Sequence, residues 1–579
     1  MTINHPITSS RTNAAARKPL SRSFAVLALL SLGHAANAQT VLPGDVDKTC
    51  VVKEAEFKGW FENGNVVKDG KAKPANSLEF TPNSACSFYR WSEQMFLWLT
   101  SPTGAGRYVF NSRNFYAVDG LGGTRTLVPQ DDPIQKGFAP AIALKGDKKQ
   151  DLVTDSAGVT RNVIRLQAPS NASSFFVDKS NKPLDFARVA SAVDGKPILL
   201  DKFDKVIDPK QSANGAPLLN VVSASGEAVQ LADTTVLVDG VQRLVTTQGE
   251  VIEIGPGQAG DDVLMTKDGA IVYYLLQVND VFAYFKTGAA NDKFPTPPTQ
   301  FPVDKKTSDA VTDIAKNAPA PHQRDIADSI ALAMELKSSW VDASTLPNNA
   351  QGYLTIKATV PVYESTDPDR RKQTGIKTLD LAMVGFHVVG SALNHPEMIW
   401  ATFEHVNNTP NLQYSYMTGP GTTAVRVADG PGSWLFSQGQ PTGVAPQSRM
   451  RVEPLTNDIV ARPTKTIGPV NVTRINPWGK PSTPDAAGNN TDIISINASV
   501  LGQLAAGDTR KNYIMVGATW TDGSPPAPDN QRGSTILANA TMETFKQRLN
   551  CFGCHSGDAS DMLSNLSHIW DMKPLFPKQ

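Results

Sequence analysis

The run Cys551-Phe552-Gly553-Cys554-His555 is followed by only 24 residues. It puts two thiols and an imidazole within one helical turn. Cys-x-x-Cys-His is the attachment pattern of a c-type haem: the thiols form thioethers to the vinyl groups, and the histidine offers a neutral imidazole to the iron. A thioredoxin-like pair calls for a strand just before the motif, whereas the preceding residues read as a helix. A zinc site calls for a second cysteine pair, which the sequence does not offer. A tail of this length cannot wrap a macrocycle, so the upstream body has to supply the apolar pocket that sets potential and solvent access. The expectation is one covalent haem c on Cys551 and Cys554, with His555 as its proximal ligand.

The other end of the chain gives the compartment. Arg17, Lys18 and Arg22 precede an apolar run from Phe24 to Leu32, and Ala36-Asn37-Ala38 offers a small-residue cleavage site. This is the pattern of a secretory signal peptide covering residues 1–38, cleaved after Ala38, and it implies a periplasmic location. The run is about half of the roughly 20 residues that a membrane-spanning helix needs. No later segment reads as a span either; the apolar stretch Ala270 to Val278 fits a buried strand. Removing residues 1–38 leaves 51 basic against 55 acidic residues, which gives no electrostatic footprint for nucleic acid. Of the four cysteines, Cys50 and Cys86 stand outside the motif, and an oxidising compartment would join them as a disulfide.

The intervening chain predicts an α+β protein: a mainly antiparallel β body with a few helices and a C-terminal helical haem-attachment segment. Residues 39–135 read as an N-terminal segment with a Trp-rich helix, in which Phe88, Trp91, Met95 and Leu99 form an apolar stripe typical of core. Residues 136–300 read as hairpins around Asp194-Gly195, Asp239-Gly240 and Asp268-Gly269. The proline-rich stretch 286–306 looks like a linker. Residues 301–530 read as a mixed body, with a helix from Asp309 to Trp340 and strands Tyr353 to Tyr363, Leu379 to Val389, Met398 to His405 and Tyr513 to Thr521. Alternation places Leu381, Met383, His387 and Val389 on one face of the second strand, and Ile399, Ala401, Phe403 and His405 on one face of the third. Residues 531–579 form the haem segment, with a helix from Asn539 that aligns Met542, Phe545, Leu549 and Phe552.

A second axial ligand has to come from the other haem face. Met562 would lie on the same face as His555 if the helix continued. His568 is the first choice, because it is the one imidazole after the motif and has the reach to fold back; Met572 and His387 follow. His387 stands out because an imidazole among apolar neighbours needs a partner. A separate metal on His395, Glu397 and His405 matches no familiar ligand spacing, and His405 and Glu404 point to opposite faces.

The helix Phe88 to Leu99, the segments Val384-Gly-Phe-His-Val-Val389 and Trp400-Ala-Thr-Phe-Glu-His405, and Thr541-Met-Glu-Thr-Phe545 ahead of the haem motif together resemble the exported proteobacterial cytochrome c family proteins with a C-terminal CxxCH motif. The resemblance touches scattered segments of most of the chain and implies an exported monohaem cytochrome. Single-electron transfer with a periplasmic redox partner is the leading expectation. The alternative is a haem enzyme, a peroxidase, oxygenase or small-molecule dehydrogenase, because the body is far larger than electron carriage requires. No phosphate-cradling loop, nucleophile elbow or dinucleotide fingerprint occurs. The exported protein is expected to begin at Gln39, and N-terminal sequencing of the periplasmic product checks this.

Overall fold

The alternating run that begins at Gln373 forms one strand of 20 residues, Gln373–Ala392, and the C-terminus is positioned against it. The computed structural model describes residues 42–141 and 262–579, less 76–79, 81–83, 105, 120–124, 327–331, 365, 453–456, 463, 481–483, 528, 549, 556–561 and 579; between 142 and 261 it describes strand backbones and a few turns. The expected signal peptide therefore lies outside the described residues. The main sheet has nine strands: β1 (Phe115–Asp119), β2 (Thr126–Pro129), β3 (Tyr273–Asn279), β4 (Met334–Asp342), β5 (Thr355–Tyr363), β6 (Gln373–Ala392), β7 (His395–His405), β8 (Tyr513–Trp520) and β9 (Arg532–Gly533). Their order is β9-β8-β7-β6-β4-β3-β1-β2, with β5 also paired to β6, and every pairing is antiparallel. With the helices α1 (Glu54–Gly59), α2 (Ala85–Leu99), α3 (Asp280–Ala290), α4 (Lys305–Lys316), α5 (Ala487–Gln503), α6 (Cys551–Cys554) and α7 (Met562–Leu566), this is the α+β architecture that the sequence predicts.

The hairpin region has sheets of its own, one of seven strands and one of three. Val238 pairs with Val241 and Ser191 with Pro197, which puts reversals at the expected Asp-Gly turns. The boundaries read at 135/136 and 300/301 do not separate sheets, because β1 and β2, then β3, then β4 to β9 all join the main one. Nor is the proline-rich stretch a spacer. It begins inside α3, and Phe301 is buried against Phe282, Phe285 and Trp570. The helix read from Asp309 to Trp340 is also shorter than expected. Helix α4 stops at Lys316, ahead of Pro319 and Pro321, and Met334 onwards forms the central strand β4. Proline lacks the N–H a continuing helix would need, and β3 and β6 supply ladder partners on both sides of β4.

Helices α2 and α5 cover one face of the sheet. Phe96 of α2 stacks on Phe403 with ring centres 4.2 Å apart, and Trp91 packs so closely over Gly390 that a Cβ there would sit 3.2 Å from the indole. The aromatic stripe of α2 is therefore core. The opposite face receives the C-terminal segment. A bulge decides which side chains reach it: Ser339 pairs with Gly385 and Trp340 with Met383, so Val384 is an extra residue in β6. Ala382 and Val384 pack with Ala540 and Met542, and His387 meets Glu543. Leu381 and Met383, expected to share a face with His387 and Val389, lie on the other one. From Gly385↔Glu404 to Gly390↔Ile399 the ladder between β6 and β7 stays in register, its one shift lying near the hairpin end between Gly390 and Ala392, and Phe403 and His405 share a face as alternation predicts.

Cys50 and Cys86 form a disulfide, Cα–Cα 5.4 Å, that ties the segment before α1 to the first turn of α2. Its loop spans 36 residues, for which chain entropy gives roughly 3 to 4 kcal/mol. Replacing both cysteines by alanine is expected to lower unfolding free energy in urea by about 2–5 kcal/mol.

Candidate functional site

Residues 539–550 do not form the long helix that their periodicity predicts; turns carry the chain to Asn550, and Leu549 lies outside the described residues. The body supplies partners that a helix would otherwise have to find within itself. Glu404 Oε1 accepts from the Ala540 N–H at 2.7 Å, the Tyr274 hydroxyl donates to Thr541 O at 2.7 Å, and Asn476 donates to Gln547 O at 2.9 Å. Glu404 also holds Arg474 in a fully buried ion pair at 2.6 Å. Gly385 beneath this segment has no room for a side chain: a Cβ there would lie 2.4 Å from Thr541 Oγ1. Asn550 then caps α6, accepting from the Phe552 N–H at 2.8 Å.

That single turn presents Cys551 and His555 to one cleft. Its walls include Val389, Trp400, Ala401, Leu537 and Ala538, with Glu335, Lys337, His387 and Glu543 along the sheet. The cleft has a cavity volume of about 110 Å³ and is open to solvent at its mouth. Cys551 is half-buried, with Sγ 3.8 Å from Leu537 O. His555 is buried, and its ring lies 4.5 Å from that of Trp400. Its Nδ1 donates to Leu566 O at 2.9 Å, which leaves the lone pair on Nε2. Iron-binding imidazoles are oriented by such a bond on the other nitrogen. Burial, reinforced by the neighbouring His568, holds His555 well below the usual imidazole range and keeps it neutral. The donor set and the apolar walls thus fit a thioether-linked haem.

The three distal candidates fare differently. His568 stacks face to face on His555, ring centres 4.1 Å apart and planes 10° from parallel. Imidazoles on opposite sides of an iron point their nitrogens at each other along two metal bonds of ~2 Å each, so this arrangement sets His568 beside His555, not across from it. Met572 is buried in the apolar cluster with Phe282, Phe285 and Leu563, away from the cleft lining. His387 does line the cleft, on the sheet side. Its Nε2 meets both Glu543 oxygens at 3.0 and 3.1 Å, and Lys337 Nζ lies 3.7 Å from the same carboxylate. Burial pushes Glu543 up, but His387 and Lys337 outweigh it and bring the carboxyl down to about 2. His395, Glu397 and His405 do not converge: His395 bonds Glu397 at 2.8 Å, while His405 stacks on Tyr353 at 3.7 Å. Among the described residues, the one group of histidine, cysteine and acidic side chains close enough to share an ion is Cys50, Cys86 and Asp492, and its thiols are spent in the disulfide.

Arg125, Glu335, Lys337, Trp400 and Leu566 were not legible as site residues. Glu335 and Lys337 were hidden by the helical reading of their segment, although their spacing of two is the period of a strand face. Glu543 reads in the sequence only as a first-turn helical acid. No family model, no curated protein and no solved structure matches the chain.

Burial raises Glu335 to about 7, with Ser567, Arg125 and Lys337 pulling the other way. A carboxyl whose folded pKa is raised keeps its proton after the unfolded chain has lost it, so stability falls as pH rises from about 4.5 to about 7 and then levels. Urea midpoints across this range are expected to fall less steeply in Glu335→Gln than in the wild type.

Proposed function

We propose that this protein is an exported c-type cytochrome that holds one covalent haem in the cleft and exchanges single electrons with a periplasmic redox partner. The observation that carries the reading is the emergence of Cys551 and His555, one turn apart, into a single partly apolar cleft with His555 Nδ1 already engaged by a carbonyl. The resemblance to exported cytochrome c family proteins and the signal-peptide pattern support it, and the Cys50–Cys86 disulfide agrees with an oxidising compartment. Among the described residues no helix is long and apolar enough to cross a membrane.

Each residue has a defined task in this reading. Cys551 and Cys554 would hold the haem as thioethers, each thiol adding across one vinyl group so that the sulfur takes one carbon and the thiol proton the other. His555 Nε2 would bind the iron, and Val389, Trp400, Leu537 and Ala538 would keep water from the bound group. The bound group supplies a one-electron iron couple. Glu543, Lys337 and His387 form a charged wall on the sheet side of the cleft. That wall favours a second reading, a haem enzyme in which His387 moves a proton to or from a small substrate while Glu543 orients the ring.

Expression with cytochrome c maturation factors is expected to give an intact mass equal to the chain from Gln39 plus one haem, resistant to acid extraction. The Cys551→Ala/Cys554→Ala variant is expected to lose it, and unchanged spectra in that variant would defeat the proposal. Inertness of the reduced protein to carbon monoxide supports electron carriage, whereas binding of the gas supports the enzyme.

A further inference from the structure

The turn that follows α7 is held from outside by two groups remote in sequence. Ser567 donates to Glu335 Oε2 of β4 at 2.7 Å. Arg125, at the entry to β2, is 1% exposed and donates through Nη1 to His568 O at 2.9 Å and to Asp571 at 3.1 Å. The Arg125 carbonyl in turn accepts from the Lys573 N–H at 2.9 Å. The carbonyl that receives His555 Nδ1 belongs to Leu566, the residue immediately before Ser567. Four bonds therefore anchor residues 567–573, the turn that continues from the Leu566 carbonyl; one comes from β4 and three from Arg125, immediately ahead of β2.

We propose that Arg125, Glu335 and Ser567 are positioning residues for the proximal ligand: by holding Leu566 O against His555 Nδ1, they set how strongly the imidazole donates to iron and thereby tune the reduction potential. This inference rests on the haem reading above. A carbonyl held firmly on Nδ1–H draws the proton outward and enriches the ring in electron density. A richer ring favours the oxidised iron, so a well-held turn lowers the potential and a loosened one raises it. Ligand geometry of this kind is sensitive to displacements of about 0.5 Å, which the loss of one anchoring hydroxyl can produce. The large β body then has a role in the electronics of the site as well as in shielding it.

The test uses the haem-loaded full chain and compares Ser567→Ala and Arg125→Gln with the wild type by spectroelectrochemistry and by NMR exchange of the His555 Nδ1 proton. Both variants are expected to favour the reduced state by about tenfold, ~59 mV for one electron, with faster exchange of that proton. Cys50→Ala/Cys86→Ala serves as the control, since it lowers stability without touching the turn and is expected to keep the wild-type potential. Because Arg125→Gln removes a buried cation and can impair folding, Ser567→Ala decides alone if it does. Folded, haem-bearing Ser567→Ala with the wild-type potential and exchange rate overturns the inference while leaving the haem reading intact. A wild-type protein without covalent haem overturns both.

Discussion

The buried pair of Glu404 and Arg474 is the contact on which the C-terminal segment depends. Withdrawing two charges from water costs several kcal/mol per ion, and here the cost is offset because every polar arm has a partner. One carboxylate oxygen takes the guanidinium and the other takes the Ala540 N–H, while Arg474 also donates to Asn411. Such a pair adds less to net stability than an apolar cluster would. What it adds is selectivity: a displaced C-terminal segment would strand a charge in the core, so alternative dockings are penalised.

From that anchor the site follows by geometry. The segment crosses Gly385, where only a missing side chain lets Thr541 approach, and brings Glu543 to His387 and Lys337 before α6 turns Cys551 and His555 inward. The cleft is lined from two sources, the sheet and the approach to the motif, and each supplies both apolar and charged side chains. Leu537 and Ala538 belong to the approach to the motif; Glu335, Lys337 and His387 belong to the sheet. His555 is supported by the turn behind it, and Glu335 of the sheet and Arg125 support that turn in their own right.

The architecture was legible where local pattern and tertiary context agree. The fold class, the stripe of α2, the Asp-Gly reversals and the disulfide are all encoded in spacing or residue type. Elements failed where the body overrode local preference. Residues 539–550 have the apolar spacing of a helix, but Tyr274, Asn476 and Glu404 compete for their backbone groups and the chain turns instead. Met334 to Trp340 tolerates a helical reading, and only the pairing with β3 and β6 makes it a strand. The support of His555 by Arg125 and Glu335 joins positions 443 and 232 residues away from their partners on the turn, separations over which sequence periodicity carries no information.

The bulge at Val384 turns a question of chemistry into one of counting. Along β6, the residues before it and those after it alternate out of phase, so His387 reaches the C-terminal segment only because one additional residue intervenes. Removing a single residue between Leu381 and Gly385 would restore an even ladder and carry either the strand's first half or its second half to the wrong side. Many substitutions at these positions would preserve both halves, provided the residues stay apolar and Gly385 stays small. In this stretch the fold therefore tolerates a change of residue but not a change of length.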